Sequence, residues 1–205
     1  MAKAFANQGA NIVLLARRMN LLEANAKAIS EEFGVETLAI TCDITDTEAI
    51  RNAVKMTMDK FGRVDILMNN AGTGAVANAE DITDDQFKKE LDIDLFGTFA
   101  CAREFGKEMI KAGYGRIINI SSMYGLVGNK IAGSSPYHAA KGGVVNLTTA
   151  TLDSDFFQAQ AKISIPMERY GHEGELDTCA LFLASKFSSY VNGQNIAVDG
   201  GYTCI

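Results

Sequence analysis

Strand-length apolar runs at residues 11–16, 36–41, 64–69, 116–120 and 195–198 alternate with longer segments of helical period at 19–33, 47–61, 83–112, 134–150 and 173–184. This alternation leaves few folds open, because strands separated by helices run parallel and a parallel sheet is covered by helices on both faces. The expected fold is α/β, a Rossmann-like doubly wound parallel sheet. Its strands should be buried on both faces, since a strand wet on one face would alternate polar and apolar residues. Thr47 and Thr83 stand where helix N-caps are expected. Only two prolines occur and no linker or repeat is visible, so one domain over 1–205 is expected; 205 residues with 47% hydrophobic content can fill one core.

Charge and cysteine usage narrow the function classes. The chain has 19 basic and 25 acidic residues, a net charge of −6, and no basic block to track a nucleic acid. No apolar run reaches the length of a membrane span, and residues 1–8 lack the apolar centre of a signal peptide, so a cytoplasmic location is expected. Cys42, Cys101, Cys179 and Cys204 have no paired Cys-x-x-Cys spacing, and only His138 and His172 could assist them. Reduced thiols and no metal site are expected.

The chemistry concentrates in Tyr137-His138-Ala139-Ala140-Lys141, preceded by Ser122 at the end of the run Arg116–Ile120. On a helix, Tyr137 and Lys141 are an i, i+4 pair on one face. A free phenol titrates at about 10, and an adjacent ammonium favours the phenolate, so Lys141 is expected to lower the Tyr137 pKa. Ser122 would hold a carbonyl or alkoxide oxygen. His138 points about 100° around the helix from Tyr137 and reads as structural or at the substrate edge.

Four elements occur in a fixed order: Ile66-Leu67-Met68-Asn69-Asn70-Ala71-Gly72, Ile117-Ile118-Asn119-Ile120-Ser121-Ser122, Tyr137-x-x-x-Lys141-Gly142-Gly143 and Val198-Asp199-Gly200-Gly201. Together they resemble the short-chain dehydrogenase/reductase family over nearly the whole chain, with features similar to gluconate 5-dehydrogenase-like members. The resemblance implies an oxidoreductase that moves hydride reversibly between a nicotinamide cofactor and a secondary alcohol or ketone. Ser122, Tyr137 and Lys141 are its implied catalytic residues. Asp94 stands where the family usually has an asparagine that orders a water, and is taken as a fourth. Asn70, Ala71 and Gly72 are implied cofactor contacts, as are Asp43 and Ile44 beside the adenine and Tyr137 and Lys141 beside the ribose. Arg17 and Arg18 occupy the position where a basic residue pairs with the 2′-phosphate, so NADP is preferred to NAD. Gly72-Thr73-Gly74-Ala75-Val76-Ala77 fits a dinucleotide fingerprint as a string, but no helix clearly opens on it and it is rejected as the phosphate loop.

Two elements expected from the resemblance have no counterpart: the first strand with its glycine-rich turn, and the sixth-strand region at the junction of residues 150 and 151. Either the sequence joins parts of a longer chain or the molecule lacks both; the first is favoured, because losing a central strand strands ladder groups and apolar faces. The substrate is expected to be a small alcohol or carbonyl compound, with sugar acids or polyols first. Alternatives are a 3-oxoacyl-carrier-protein reductase-like activity, for which Lys107, Lys111 and Arg116 could face an acidic carrier, and a non-catalytic nucleotide sensor or scaffold. A homodimer or homotetramer through segments 83–112 and 134–150 is implied by the resemblance.

Overall fold

The computed structural model describes residues 1–74, 76–127, 133–144, 165–169, 171–189, 191, 194 and 196–204. In chain order its helices and strands are α1 (Ala2–Asn7), β1 (Ile12–Ala16), α2 (Met19–Phe33), β2 (Thr37–Thr41), α3 (Thr47–Phe61), β3 (Ile66–Asn69), α4 (Asp84–Leu91), α5 (Thr98–Ala112), β4 (Arg116–Asn119), α6 (Ser135–Gly143) and α7 (Asp177–Ala184). A π-helical segment, Asp92–Gly97, joins α4 to α5. The segment 83–112, expected as one helix, is thus two α-helices with a wide turn between them.

The strands pair in parallel, β1 with β2 (Ile12 opposite Thr37) and β3 with β4 (Ile66 opposite Arg116). Among the described residues these are two separate two-stranded sheets, with no ladder between β1 and β3. The packing nevertheless treats them as one layer. Alternate residues of the strands point to opposite faces. One face joins Val13, Leu15, Leu38, Ile40 and Leu67 to Ile50, Ala53 and Val54 of α3 and Ala100, Cys101, Phe105 and Met109 of α5. The other joins Ile12, Leu14, Ile66, Met68, Ile118 and Ile120 to Phe5 and Ala6 of α1, Ile29 of α2 and Ala180 of α7. Both cores therefore draw on both strand pairs, as a doubly wound α/β fold requires.

Three expectations need correction. The strands are not uniformly buried: β1 and β2 each have one buried residue, and Ile117 in β4 is 40% exposed. Where a strand edge has no hydrogen-bonded neighbour, the apolar run loses the cover that full burial needs. Residues 196–198 are not strand: a strand is made by its ladder, and among the described residues none pairs them with another segment. Thr47 is the first helical residue of α3 and not its cap. The cap is Asp46, whose carboxylate accepts from the N–H groups of Glu48 at 2.8 Å and Ala49 at 3.3 Å. Asp is a stronger cap than Thr and sits one residue earlier, at extended φ. The helix closes on Gly62, whose φ of 68° is left-handed. Thr83 does cap α4, through a reciprocal box with Gln86.

The cysteines Cys42, Cys101 and Cys179 are free thiols, and burial pushes the first two up to about 11 and about 12. Among the described residues no helix is long and apolar enough to cross a membrane. Replacing the α3 cap should separate the two readings of that helix start: Asp46→Ala lowers unfolding free energy by about 1 kcal/mol and Thr47→Ala by less than about 0.5 kcal/mol, measured by urea denaturation.

Candidate active site

The C-terminal ends of β3 and β4 carry two loops, 70–74 and 120–122, that face the packed pair of helices α4 and α6. Asn69 and Asn119 end their strands in register, and the Asn69 amide donates to the Asn119 side-chain oxygen at 2.7 Å. This buried bond ties the two loops' starting points together. Asn69 is thus a structural residue, whereas Asn70, Ala71 and Gly72 are exposed beyond it.

The π turn delivers Asp94 to the same place. One extra residue per turn swings the chain, and Thr98 takes the Asp94 carbonyl with its hydroxyl at 2.9 Å. Gly97 is the other local reason: a Cβ there would lie 2.7 Å from Ile44 Cδ1, so only glycine lets this turn sit against the loop after β2. Asp94 has no exposed surface and Lys141 is 2% exposed. Their side chains form a buried ion pair, 3.2 Å from Nζ to Oδ2. Lys141 also donates to the Ile120 carbonyl at 3.0 Å, and the Thr73 N–H donates to Asp94 Oδ1 at 2.7 Å. Burial pushes the Asp94 carboxyl above its usual range, and Lys141 and the Thr73 N–H only partly offset it. Gly72 is close-packed here: a Cβ would come to 3.1 Å from Asp94 Oδ2 and 3.3 Å from Lys141 Nζ.

Tyr137 is 8% exposed and Ser122 6%, with Ser122 close enough to the phenol to favour its ionised form. Ser122 also accepts from the Tyr124 N–H at 3.2 Å, which fixes it at the head of a short 3-10 turn, Met123–Gly125. The expected i, i+4 geometry holds, with Lys141 Nζ 5.7 Å from the Tyr137 ring centre. Its expected consequence does not. The Tyr137 phenol is raised above its ordinary value, first by burial and then by the negative charge of Asp94 and Glu90, against Ser122, which lowers it. Lys141 fails to reverse this because its ammonium is engaged by Asp94 and the Ile120 carbonyl. His138 stacks on Tyr124 at 4.8 Å between ring centres and is turned away from the phenol's chemistry.

Residues expected to hold the adenosine half gather elsewhere on the same edge, at the ends of β1 and β2. Arg17 lies 3.9 Å from Asp43 in an exposed ion pair, and Arg18 is the exposed N-cap residue of α2. Asp43 accepts from the Thr45 N–H at 3.0 Å and the Thr45 hydroxyl at 2.8 Å, which hold its carboxyl below the usual range, with Arg17 adding less. It therefore shapes the turn into α3 as well as standing at the nucleotide position. Ile44, half-buried, packs on Gly97 and so links this turn to the segment bearing Asp94. The string 72–77 opens no helix; Thr73 within it serves Asp94.

A profile of the short chain dehydrogenase family matches residues 1–164, and one described as enoyl-(acyl carrier protein) reductase matches residues 148–203. The chain belongs to the short-chain dehydrogenase family. Trans-4-hydroxycyclohexanecarboxylate dehydrogenase of Sinomonas cyclohexanicum is 34% identical to it, over 98% of this chain and 86% of that protein. Galactitol 2-dehydrogenase (L-tagatose-forming) of Cereibacter sphaeroides is 32% identical, over 99% and 89%. Among solved structures, a gluconate 5-dehydrogenase from Burkholderia cenocepacia J2315 in complex with NADP and tartrate superposes with a TM-score of 0.90 at 28% identity, covering 100% of this chain and 89% of that one.

Within this short-chain dehydrogenase site, several participants carry no motif that would reveal them. The Ile120 carbonyl and the Thr73 N–H are backbone groups, and Ser121, whose hydroxyl donates to the Lys141 carbonyl at 3.0 Å, is hidden beside Ser122. Only the matched Asn69 and Asn119 could have been paired from sequence, as equivalent ends of two strands. Junction residues 145–164, where a sixth-strand region was expected, lie outside the described residues. The tight fit around Gly72 gives a test. Gly72→Ala should push Asp94 from Lys141 by a few tenths of an ångström and lower kcat about tenfold with thermal stability little changed, read by steady-state kinetics and a melting curve.

Proposed function

We propose that this chain is an NAD(P)-dependent oxidoreductase acting on the CH–OH group of a secondary alcohol, or on the matching ketone, with Ser122, Tyr137 and Lys141 as catalytic residues and Asp94 as their support. The observation that carries the reading is the buried Tyr137–Lys141 pair on one face of α6, with Nζ 5.7 Å from the ring centre, beside the buried Ser122 beyond the C-terminal end of β4, where open α/β sheets bind ligands. When bound, the nicotinamide cofactor supplies or accepts the hydride. Tyr137 gives its proton to the developing alkoxide in reduction and takes it back in oxidation. Ser122 donates to the same oxygen and fixes its distance from the phenol. Lys141 holds positive charge behind the phenolate as it forms, and Asp94 keeps that ammonium in place.

The residues present fit a dinucleotide. Arg17, Arg18, Asp43 and Ile44 sit at the ends of β1 and β2, Asn70, Ala71 and Gly72 form an exposed loop beyond β3, and Tyr137 and Lys141 close the row. The guanidinium of Arg17 supports NADP over NAD, since it is exposed, can bind a phosphate in two-point fashion, and pairs with Asp43 at 3.9 Å. Small polyols or sugar acids are the substrate class we favour, supported by the galactitol and gluconate dehydrogenases named above. The carrier-protein alternative stays second: Lys107 and Lys111 are exposed but paired with Glu104 at 2.6 Å and Glu108 at 2.7 Å, and Arg116 lies over Tyr114. We read the protein as one domain working in the cytoplasm, assembled as a homodimer or homotetramer through α4–α5 and α6. Exposed Phe96, Phe99 and Ile110 on the first of these elements support that assembly.

Tyr137→Phe should abolish turnover of polyols and ketones while nucleotide affinity, followed by fluorescence titration, stays within about twofold. A Tyr137→Phe protein with wild-type turnover would falsify the assignment. Arg17→Ala should weaken NADPH binding about tenfold and NADH binding little, by the same titration; equal losses for both would remove Arg17 from the phosphate site.

A further inference from the structure

Tyr124 stands two residues beyond Ser122, and the mechanism above gives it no part. The Ser122 hydroxyl accepts its N–H at 3.2 Å, so one short turn sets the places of both side chains. The Tyr124 ring meets three others. It stacks on His138 at 4.8 Å with 19° between the planes, and it meets Tyr137 at 6.5 Å and Tyr202 at 6.4 Å edge to face. His138 is kept in that stack by the Ser134 carbonyl, 2.8 Å from Nδ1; a carbonyl can only accept, so Nδ1 carries the hydrogen. Tyr124, His138 and Tyr202 are each half-buried, which makes the cluster a surface beside the reactive phenol and not part of a core.

Tyr202 reaches this cluster from the C-terminal turn, and that turn is tightly built. The Asp199 carboxylate accepts from the N–H groups of Gly201 and Thr203, each at 3.0 Å, and from the Thr203 hydroxyl at 2.7 Å. The chain passes through Gly200 and Gly201 at φ of 65° and 90°, values that favour glycine. Space makes the same demand: a Cβ at 200 would lie 2.6 Å from Ile165 Cγ2, and one at 201 would lie 3.1 Å from Pro166 Cγ. Tyr202 and Met123 then pack on the same buried Ile165, so the turn after Ser122 and the C-terminal turn share one footing.

We propose that Tyr124, His138 and Tyr202 form an aromatic wall of the substrate pocket, that Tyr202 selects longer polyols and sugar acids over three-carbon alcohols, and that Asp199 is the positioning residue that holds Tyr202 there. This deepens the polyol reading above and rests on it. A substrate whose carbinol oxygen lies at Ser122 and Tyr137 has Tyr124 beside its nearest carbons. Tyr202, whose contact is with the far neighbour Tyr124, is reached only by a longer chain. The chemistry suits such a chain: an extended polyol shows C–H groups on its faces and hydroxyls at its edges, and a tyrosine covers the first with its ring and meets the second with its phenol. Binding energy gained so far from the reacting carbon acts as selection among substrates.

Titration calorimetry with galactitol on the NADP-loaded protein reads the wall without turnover. Tyr202→Ala and Asp199→Ala should each weaken galactitol binding about tenfold, and Tyr202→Phe, which keeps the ring, should stay within about twofold of wild type. NADP affinity should stay within about twofold in all three. In steady-state oxidation the ratio of kcat/KM for galactitol to that for glycerol should fall about tenfold in Tyr202→Ala, through KM more than kcat; a residue that served stability alone would cost both substrates alike. If Tyr202→Ala fails to fold, Tyr202→Leu keeps an apolar contact for Ile165, removes the flat face and serves the same comparison. A wild type that binds no galactitol, binding undiminished in the variant, or an unchanged galactitol-to-glycerol ratio overturns the proposal. A wild type that binds galactitol through Tyr202 but turns over no alcohol or ketone would instead strike the oxidoreductase reading and leave the wall standing.

Discussion

The contact between Lys141 and Asp94 organises the rest of the site. Taking an ammonium and a carboxylate out of water costs several kcal/mol per ion, and their attraction offsets that only when the remaining polar atoms are also satisfied. Here the offsetting partners come from three directions: the Ile120 carbonyl at the end of β4, the Thr73 N–H in the loop after β3, and the π turn that brings Asp94 inward. The pair therefore fastens the ends of both strands to both helices. Breaking either half would leave the other charged and buried, which is why a Cβ at Gly72 or a straight α-helix through 92–97 would be felt at Tyr137.

The same contact explains the direction of the Tyr137 shift. A lysine four residues from a tyrosine acidifies it only to the extent that its charge is not already neutralised nearby. With Asp94 at 3.2 Å, the field of Lys141 at the phenol is largely that of a dipole and falls off faster with distance than a lone charge would. An asparagine at position 94 would order the same loop through its side-chain oxygen without adding a negative charge. The carboxylate thus keeps the positioning function and changes the electrostatics.

What the sequence made legible follows from how local each cause is. The α/β alternation, the bounds of α2 and α3 and the Thr83 cap depend on residues within a few positions of one another, and all are found in the structure. The Tyr137–Lys141 spacing is equally local. Other features depended on partners distant in sequence. The cap at Asp46 was hidden because Thr47 beside it is also a good capping residue. The π turn sits with Gly97 against Ile44, fifty-three residues away in sequence, and no periodicity within 83–112 reports that contact. Residues 196–198 have a strand's composition, but composition cannot supply the neighbouring strand that makes a ladder.

The direction of the phenol shift was the deepest of these failures, and it has a general cause. A spacing argument counts the charges on one helix, whereas the proton affinity of Tyr137 is set by two helices and a loop. Asp94 becomes relevant only because α4 and the π segment pack on α6 so that Asp94 falls opposite Lys141. The register of that helix pair, marked by the Asp94–Lys141 contact, is thus itself a determinant of the chemistry. Residue identity supplies the acid, and packing decides which group feels it.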